Sequence, residues 1–235
     1  MSVALNDKGD LEAAIESYKQ ALKIKPDYAQ AYNNMGNILK EKGDLEAAIE
    51  SYKKAIKIKP GYADPYNNMG IALNHKGDLE AAIESYKQAL KIKPDYAQAF
   101  NNMGNTLKEK GDLEAAINSY KQALKIRPDY AQAYSNMGIA LKGVVFTKPS
   151  SGLQEVISLI IDRKNIVRPI DISRAAISLL KFEPVMKQLF KKYFASEVKQ
   201  SLESLISNLS EAPLLFKLMS ICPLPDLELE AIFTD

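Results

Sequence analysis

The side chains with the most suggestive spacing are carboxamides. Asn33-Asn34, Asn67-Asn68 and Asn101-Asn102 recur every 34 residues, and Ser135-Asn136 continues the series. Gln30, Gln98 and Gln132 stand three residues ahead of these pairs, and Asp64 takes that place in the remaining copy. Asn37 and Asn105 follow a turn later, with Ile71 and Ile139 between and after them. A carboxamide offers two N–H donors and an acceptor oxygen, a set that suits a peptide backbone. The chemistry implied is recognition by hydrogen bonding, with no bond made or broken.

Little else in the chain offers chemistry. It has one histidine, His75, and one cysteine, Cys222, which excludes a disulfide framework and nearly every His/Cys zinc site within the chain. No nucleophile, base and orienting group share a suggestive spacing, so no catalytic site and no cofactor are expected. With 31 basic and 29 acidic residues the net charge is +2, against a nucleic-acid partner held by broad electrostatics. No run approaches about 18 apolar residues, the length of a membrane span. Met1 to Asp7 lacks the basic start and apolar stretch of a signal peptide, so a reducing, cytoplasmic setting is the default.

The amides sit inside a repeat. Gly-Asp-Leu-Glu-Ala-Ala-Ile begins at Gly9, Gly43, Gly77 and Gly111, at intervals of 34 residues. Counting Ala29 as position 1, Tyr32, Met35, Gly36 and Leu39 follow the i, i+3, i+4, i+7 spacing of one helix face. Leu45, Ala48, Ile49, Tyr52, Ala55 and Ile56 mark a second helix. Gly36 and Ala48 are small where paired helices must approach closely. Asp44 reads as an N-cap, and Asp27/Gln30, Asp95/Gln98 and Asp129/Gln132 read as capping boxes for the first helices. Pro26, Pro60, Pro94 and Pro128 stop the second helices. In the copy that reads Gly61-Tyr62-Ala63-Asp64-Pro65, Asp64 is expected to cap, so its first helix should start about three residues late. A helical hairpin cannot bury two apolar faces alone, and stacked neighbours do so as a solenoid.

These matches, continued at Tyr66, Met69, Gly70, Ala82, Tyr86, Pro94 and at Phe100, Met103, Gly104, Ala116, Tyr120, Pro128, resemble the tetratricopeptide repeat (TPR) over residues 1–142. The resemblance implies an all-α fold: a right-handed TPR α-solenoid followed by a small all-helical domain. Its parts are a partial repeat 1–28, full repeats 29–62, 63–96 and 97–130, and a half repeat 131–142. In TPR proteins, positions 2, 5, 6 and 9 of the first helix line the concave groove. Here that face reads Gln30, Asn33, Asn34, Asn37; Asp64, Asn67, Asn68, Ile71; Gln98, Asn101, Asn102, Asn105; and Gln132, Ser135, Asn136, Ile139. It resembles the asparagine ladder of the O-linked N-acetylglucosamine transferase TPRs, with Asn34, Asn68, Asn102 and Asn136 as rungs. The implied partner is a protein or peptide in that groove. Residues 29–62 and 97–130 differ at seven of 34 positions, so the copies also read as recent duplication. The lysine of the chaperone-binding carboxylate clamp is replaced by Asn33, Asn67, Asn101 and Ser135, which counts against that partner class. Charges such as Glu12, Glu16, Lys19, Glu46, Glu50, Lys53, Lys54 and Lys57 read as a solvated outer face. His75 replaces a glutamate at position 13 and carries no assigned role.

After Lys142 the repeat stops. Leu153, Val156, Ile157, Ile160 and Ile161 mark a helix, and Asp171 should cap another carrying Ala175, Ala176, Ile177, Leu179 and Leu180. Further helical patterns run from Pro184, from Val198, from Leu214 and from Asp226, giving a helical C-terminal domain over 143–235 that caps the array. Cys222, beside Pro223, reads as a small buried hydrophobe. The stretches from Arg168 to Pro184 and from Pro213 to Leu224 resemble a helical segment that follows TPR arrays in bacterial S-adenosylmethionine-dependent methyltransferases. That likeness implies the non-catalytic, substrate-recruiting part of a larger transferase, with a glycosyltransferase as the further alternative. A third reading is structural stacking into oligomers. Met1 aligns with Met69, at position 7 of a repeat, and the helix from Asp226 has no C-cap before Asp235, so the chain reads as a piece of a longer protein. The methyltransferase site itself needs a Gly-rich loop after a strand, and this chain has neither. Calorimetric titration of these 235 residues with S-adenosylmethionine is therefore expected to give no heat of binding; micromolar affinity would overturn that reading.

Overall fold

The computed structural model describes residues 11–147, 151–163, 165–180 and 182. Among them the chain is helical, with no strand. They fall into two compact units, divided between Asp129 and Tyr130. The first contains α1 (Leu11–Ile24), α2 (Ala29–Lys42), α3 (Leu45–Ile58), α4 (Ala63–Lys76), α5 (Leu79–Ile92), α6 (Ala97–Lys110) and α7 (Leu113–Ile126). The second contains α8 (Ala131–Leu141), α9 (Ser151–Ile161) and α10 (Pro169–Leu180).

Each helix of the first unit is 14 residues long, because the same start and stop signals recur. At the turn between paired helices, Gly43, Gly77 and Gly111 adopt φ of 86–90°, the left-handed region that a side chain would strain. Gly43 N–H donates to the Lys40 carbonyl at 3.0 Å and Asp44 N–H to that of Leu39 at 2.9 Å, closing a Schellman turn. The next residue caps the second helix: Asp44, Asp78 and Asp112 each accept from the backbone N–H three residues on, at 3.1–3.3 Å. The second helices end at Ile24, Ile58, Ile92 and Ile126, two residues before the prolines.

The first helices begin differently from expectation. Their N-caps are Tyr28, Tyr96 and Tyr130, with no side-chain cap, so no capping box forms. Asp27 and Asp95 lie one residue too early; their carbonyls accept from Ala29 and Ala97 N–H at 3.1 Å. The helix α4 is not late either, starting at Ala63 after Tyr62. Pro65 falls in its first turn, where the missing N–H has no partner to lose.

Packing alternates along the first unit: α2 lies on α3, α3 on α4, α4 on α5, and so on to α7. Inside each hairpin a tyrosine ring of the second helix lies on a glycine of the first. Tyr52, Tyr86 and Tyr120 are at most 1% exposed. A Cβ placed on Gly36, Gly70 or Gly104 would stand 2.5–2.6 Å from the ring's Cε1. Between hairpins, Ala48, Ile49 and Tyr52 join Ala72 of the next first helix, with Leu39, Leu45, Met69 and Leu73 around them. The two stripes read from the sequence are therefore the buried faces.

In the second unit, Val156, Ile157, Ile160 and Ile161 of α9 are buried, as are Ile172, Ala175, Ala176, Leu179 and Leu180 of α10. The α8 helix packs on α10, and a Cβ on Gly138 would meet Val167 at 2.5 Å. The residues 131–142, read as the last half repeat, thus group with those that follow them. Asp171 is not a cap: the helix starts two residues earlier at Pro169. Its carboxylate instead pairs with Arg168 at 2.9 Å and Lys142 at 3.2 Å, which hold it below the usual carboxylate range. The expected helices from Pro184, Val198, Leu214 and Asp226, and Cys222, lie outside the described residues, as does the half helix from Met1.

The glycine–tyrosine contact sets a stability prediction. Gly70→Ala would gain about 1 kcal/mol of helix propensity in an open site. Against the Tyr86 ring it should instead overpack, for which about 1–3 kcal/mol is typical. Urea unfolding is expected to show a net loss; a midpoint at or above the parent's would show that the ring yields.

Candidate functional site

The amide face is built by α2, α4 and α6, whose first helices also touch one another along the stack. Its residues divide by burial. Gln30 and Gln98 are exposed, while Asn34, Asn68 and Asn102 are half-buried. Asn33, Asn67 and Asn101 are only 4%, 1% and 3% exposed. These last three were expected on the open face and are instead buried.

Asn33 and Asn67 belong to a chain of amide–amide hydrogen bonds. Asn102 Nδ2 donates to Asn67 Oδ1 at 3.0 Å, and Asn67 Nδ2 donates to Asn68 Oδ1 at 3.2 Å. Asn68 Nδ2 donates to Asn33 Oδ1 at 3.0 Å, and Asn33 Nδ2 to Asn34 Oδ1 at 3.4 Å. Five side chains thus run in one polarity across two repeat junctions. Position 6 of one repeat reaches position 5 of the repeat before, a separation of 35 residues. A buried amide without partners would cost roughly 1–3 kcal/mol, so each asparagine needs its neighbour in the next repeat.

Position 9 is also in use. Tyr52 Oη donates to Asn37 Oδ1 at 2.9 Å and Tyr120 Oη to Asn105 Oδ1 at 2.8 Å, satisfying the polar end of each packed ring. Burial pushes the Tyr52, Tyr86 and Tyr120 phenols well above their ordinary range. Asp64, half-buried at position 2, accepts from Tyr96 Oη at 3.0 Å. In the second unit, Gln132 is exposed, Asn136 is buried, and Gln132 Nε2 donates to Asn136 Oδ1 at 2.9 Å.

The residues available to a ligand on the first unit are therefore Gln30, Asn34, Asn68, Gln98 and Asn102, with Asp64 among them. Of the two hydrogens on Nδ2 of Asn34, Asn68 and Asn102, at most one is spent within the chain of amides. Exposed ion pairs also link successive repeats: Lys42–Glu12, Lys76–Glu46 and Lys110–Glu80, at 3.0–3.2 Å. The lysines hold these glutamates below their ordinary range, and solvent exposure makes each pair weak. Sequence reading missed both the amide chain and these pairs. Their signal was available as residue types 35 and 30 apart, a spacing that means contact only once consecutive repeats are stacked. Among the described residues no cluster of His, Cys, Asp or Glu is placed to hold a metal, and no helix is long and apolar enough to cross a membrane.

The buried amides should behave as structural groups. Asn67→Ala removes one donor and one acceptor that Asn68 and Asn102 use. It is expected to cost about 1–3 kcal/mol in urea unfolding, despite the better helix propensity of alanine. Exposed Gln98→Ala should change the midpoint little; equal behaviour of the two variants would refute the amide chain.

The comparisons with known proteins agree with this geometry. The family model described as TPR repeat matches residues 4–42, 36–75, 72–111 and 104–143, more than half of the chain. No curated protein matches by sequence. A crystal structure of MamA is similar at 26% identity with a TM-score of 0.57, over 67% of this chain and 91% of that one. A second MamA crystal structure gives 26% and 0.56, over 67% of this chain and 85% of that one. MamA residues 41 to the end, from Desulfovibrio magneticus RS-1, share the fold at 20% identity and 0.52, over 57% of this chain and 75% of that one. Tetratricopeptide repeats are protein-interaction scaffolds, generally without catalysis of their own. With hairpin pairs of 14-residue helices repeating every 34 residues and a family match across 4–143, this chain belongs to the tetratricopeptide repeat family.

Proposed function

We propose that the groove along α2, α4 and α6 holds an extended peptide or a helix of a partner protein. The observation that carries this reading is the set of half-buried amides: Asn68 and Asn102 oriented by bonds to the preceding repeat, Asn34 by its bond from Asn33, each with an N–H to spare. A donor held in place before binding loses little freedom when a ligand arrives. Exposed Gln30 and Gln98 extend the same row by one turn. Backbone carbonyls of any peptide would satisfy these donors, so broad sequence tolerance is expected. The single cysteine suits a reducing, cytoplasmic compartment. The alternative, supported by the resemblance of residues 168–184 to a segment of methyltransferases, is that the groove recruits substrate for a larger transferase.

The test is selection of a displayed library of random 12-residue peptides, followed by amide-detected NMR titration of a recovered peptide. The side-chain NH2 signals of Gln30, Asn34, Asn68, Gln98 and Asn102 should shift, with those of Gln88 and Asn118 on the second helices unmoved. Shifts confined to the second helices would place the interaction on the outer face.

A further inference from the structure

We propose that Asp64, hydrogen-bonded to Tyr96, is the subsite for a lysine or arginine side chain of the bound peptide. The inference rests on the groove reading above and adds the ligand's chemical class.

The three full repeats are near copies, and they differ at position 2. Gln30 and Gln98 are neutral there, and Asp64 is charged. Asp64 lies one turn ahead of Asn68 on the same face of α4, so a peptide gripped at Asn68 passes it. Asp64 is the half-buried carboxylate among the described residues of the first unit, whereas Asp27, Glu41, Asp95 and Glu114, which also lack an ion pair, are exposed. Glu12, Glu46 and Glu80 pair with lysines of the next repeat, Glu50 pairs with Lys53, and Glu109 accepts from Asn74 at 2.6 Å. Among the described residues no Lys, Arg or His makes an ion pair with Asp64, whose one bond is from the Tyr96 hydroxyl. That bond uses Oδ1 and leaves Oδ2 for a ligand.

A half-buried carboxylate without a counter-charge is unfavourable, and a cation from the ligand would relieve it. Burial and the Asp64 charge both raise the Tyr96 phenol, which stays a neutral donor to Oδ1. A basic side chain would therefore find a half-buried carboxylate oxygen on the amide face at one repeat junction.

Asp64→Gln is the informative variant, because it installs the residue that the neighbouring repeats carry at the same position. The library selection is repeated on the parent and on this variant. With the parent, recovered peptides should be enriched in Lys or Arg at one position. A recovered basic peptide should bind Asp64→Gln roughly five- to tenfold more weakly, the range of a partly buried charged hydrogen bond. Its neutral analogue should bind both proteins alike. A carboxylate that only steadied the first turn of α4 would change the melting midpoint and leave peptide preference alone. Groove-dependent peptides without basic enrichment, or equal affinity of parent and variant, overturn the subsite and leave the groove reading standing. Recovery of no peptide that shifts the Asn68 side-chain signal overturns both.

Discussion

Each hairpin depends on a tyrosine ring pressed against a helix backbone. Tyr52, Tyr86 and Tyr120 lie on Gly36, Gly70 and Gly104 so closely that a methyl group has no room. The absent side chain lets the two helices approach, and the ring fills the space between them at interior density. The remaining requirement is the phenol oxygen, which would be costly to bury alone. Asn37 and Asn105 meet it for Tyr52 and Tyr120 by accepting a hydrogen bond from the phenol, while Ile71 holds that position in the middle hairpin. The hairpins of Tyr52 and Tyr120 are thus set in separation by a glycine and tied by a hydrogen bond at the far edge of the ring.

Once hairpins are rigid, stacking them brings the first helices side by side. Their shared surface carries asparagine, which intrinsically disfavours helix interiors. The amides tolerate that position because each finds its partner in the neighbouring repeat. A run of bonds from Asn102 to Asn34 results, satisfying one buried amide with the next. Apolar residues at the same sites would pack with many registers, whereas an amide pair accepts one. The chain of amides therefore specifies how repeats align, and as a consequence it presents its unused donors in a row. Position 5 is taken up by structure, and position 6 is the one shared with the recognition proposed above.

Near-identity of the repeats gives their differences weight. A change in one copy acts on a background that the other copies define. Pro65 could have shortened α4 and does not, since the first turn of a helix has no N–H bond to surrender. Asp64 could have capped that helix and instead accepts a hydrogen bond from Tyr96, 32 residues away in the next repeat junction. The charged exterior behaves differently: Lys42, Lys76 and Lys110 repeat one ion-pair geometry at exposed positions, where solvent screening leaves it little energetic weight.

The sequence alone determined much of what is local. The period of 34, the two apolar stripes, the aspartate caps at Asp44, Asp78 and Asp112, and the proline stops all depend on neighbours within a few residues, where helical spacing dictates contact. It also named the polar face, because Gln30, Asn33, Asn34 and Asn37 share one side of a helix whatever surrounds it. Tertiary structure decided which of those residues are buried and which stay open. Asn33 and Asn34 are adjacent in sequence and alike in chemistry, yet one is sealed in a repeat junction and the other half-open. That difference arises because α4 packs beside α2, and no spacing within a single helix encodes it. The capping boxes failed for a related reason: Asp27 and Gln30 have the right separation, but the turn after Pro26 starts the helix one residue later than the carboxylate needs.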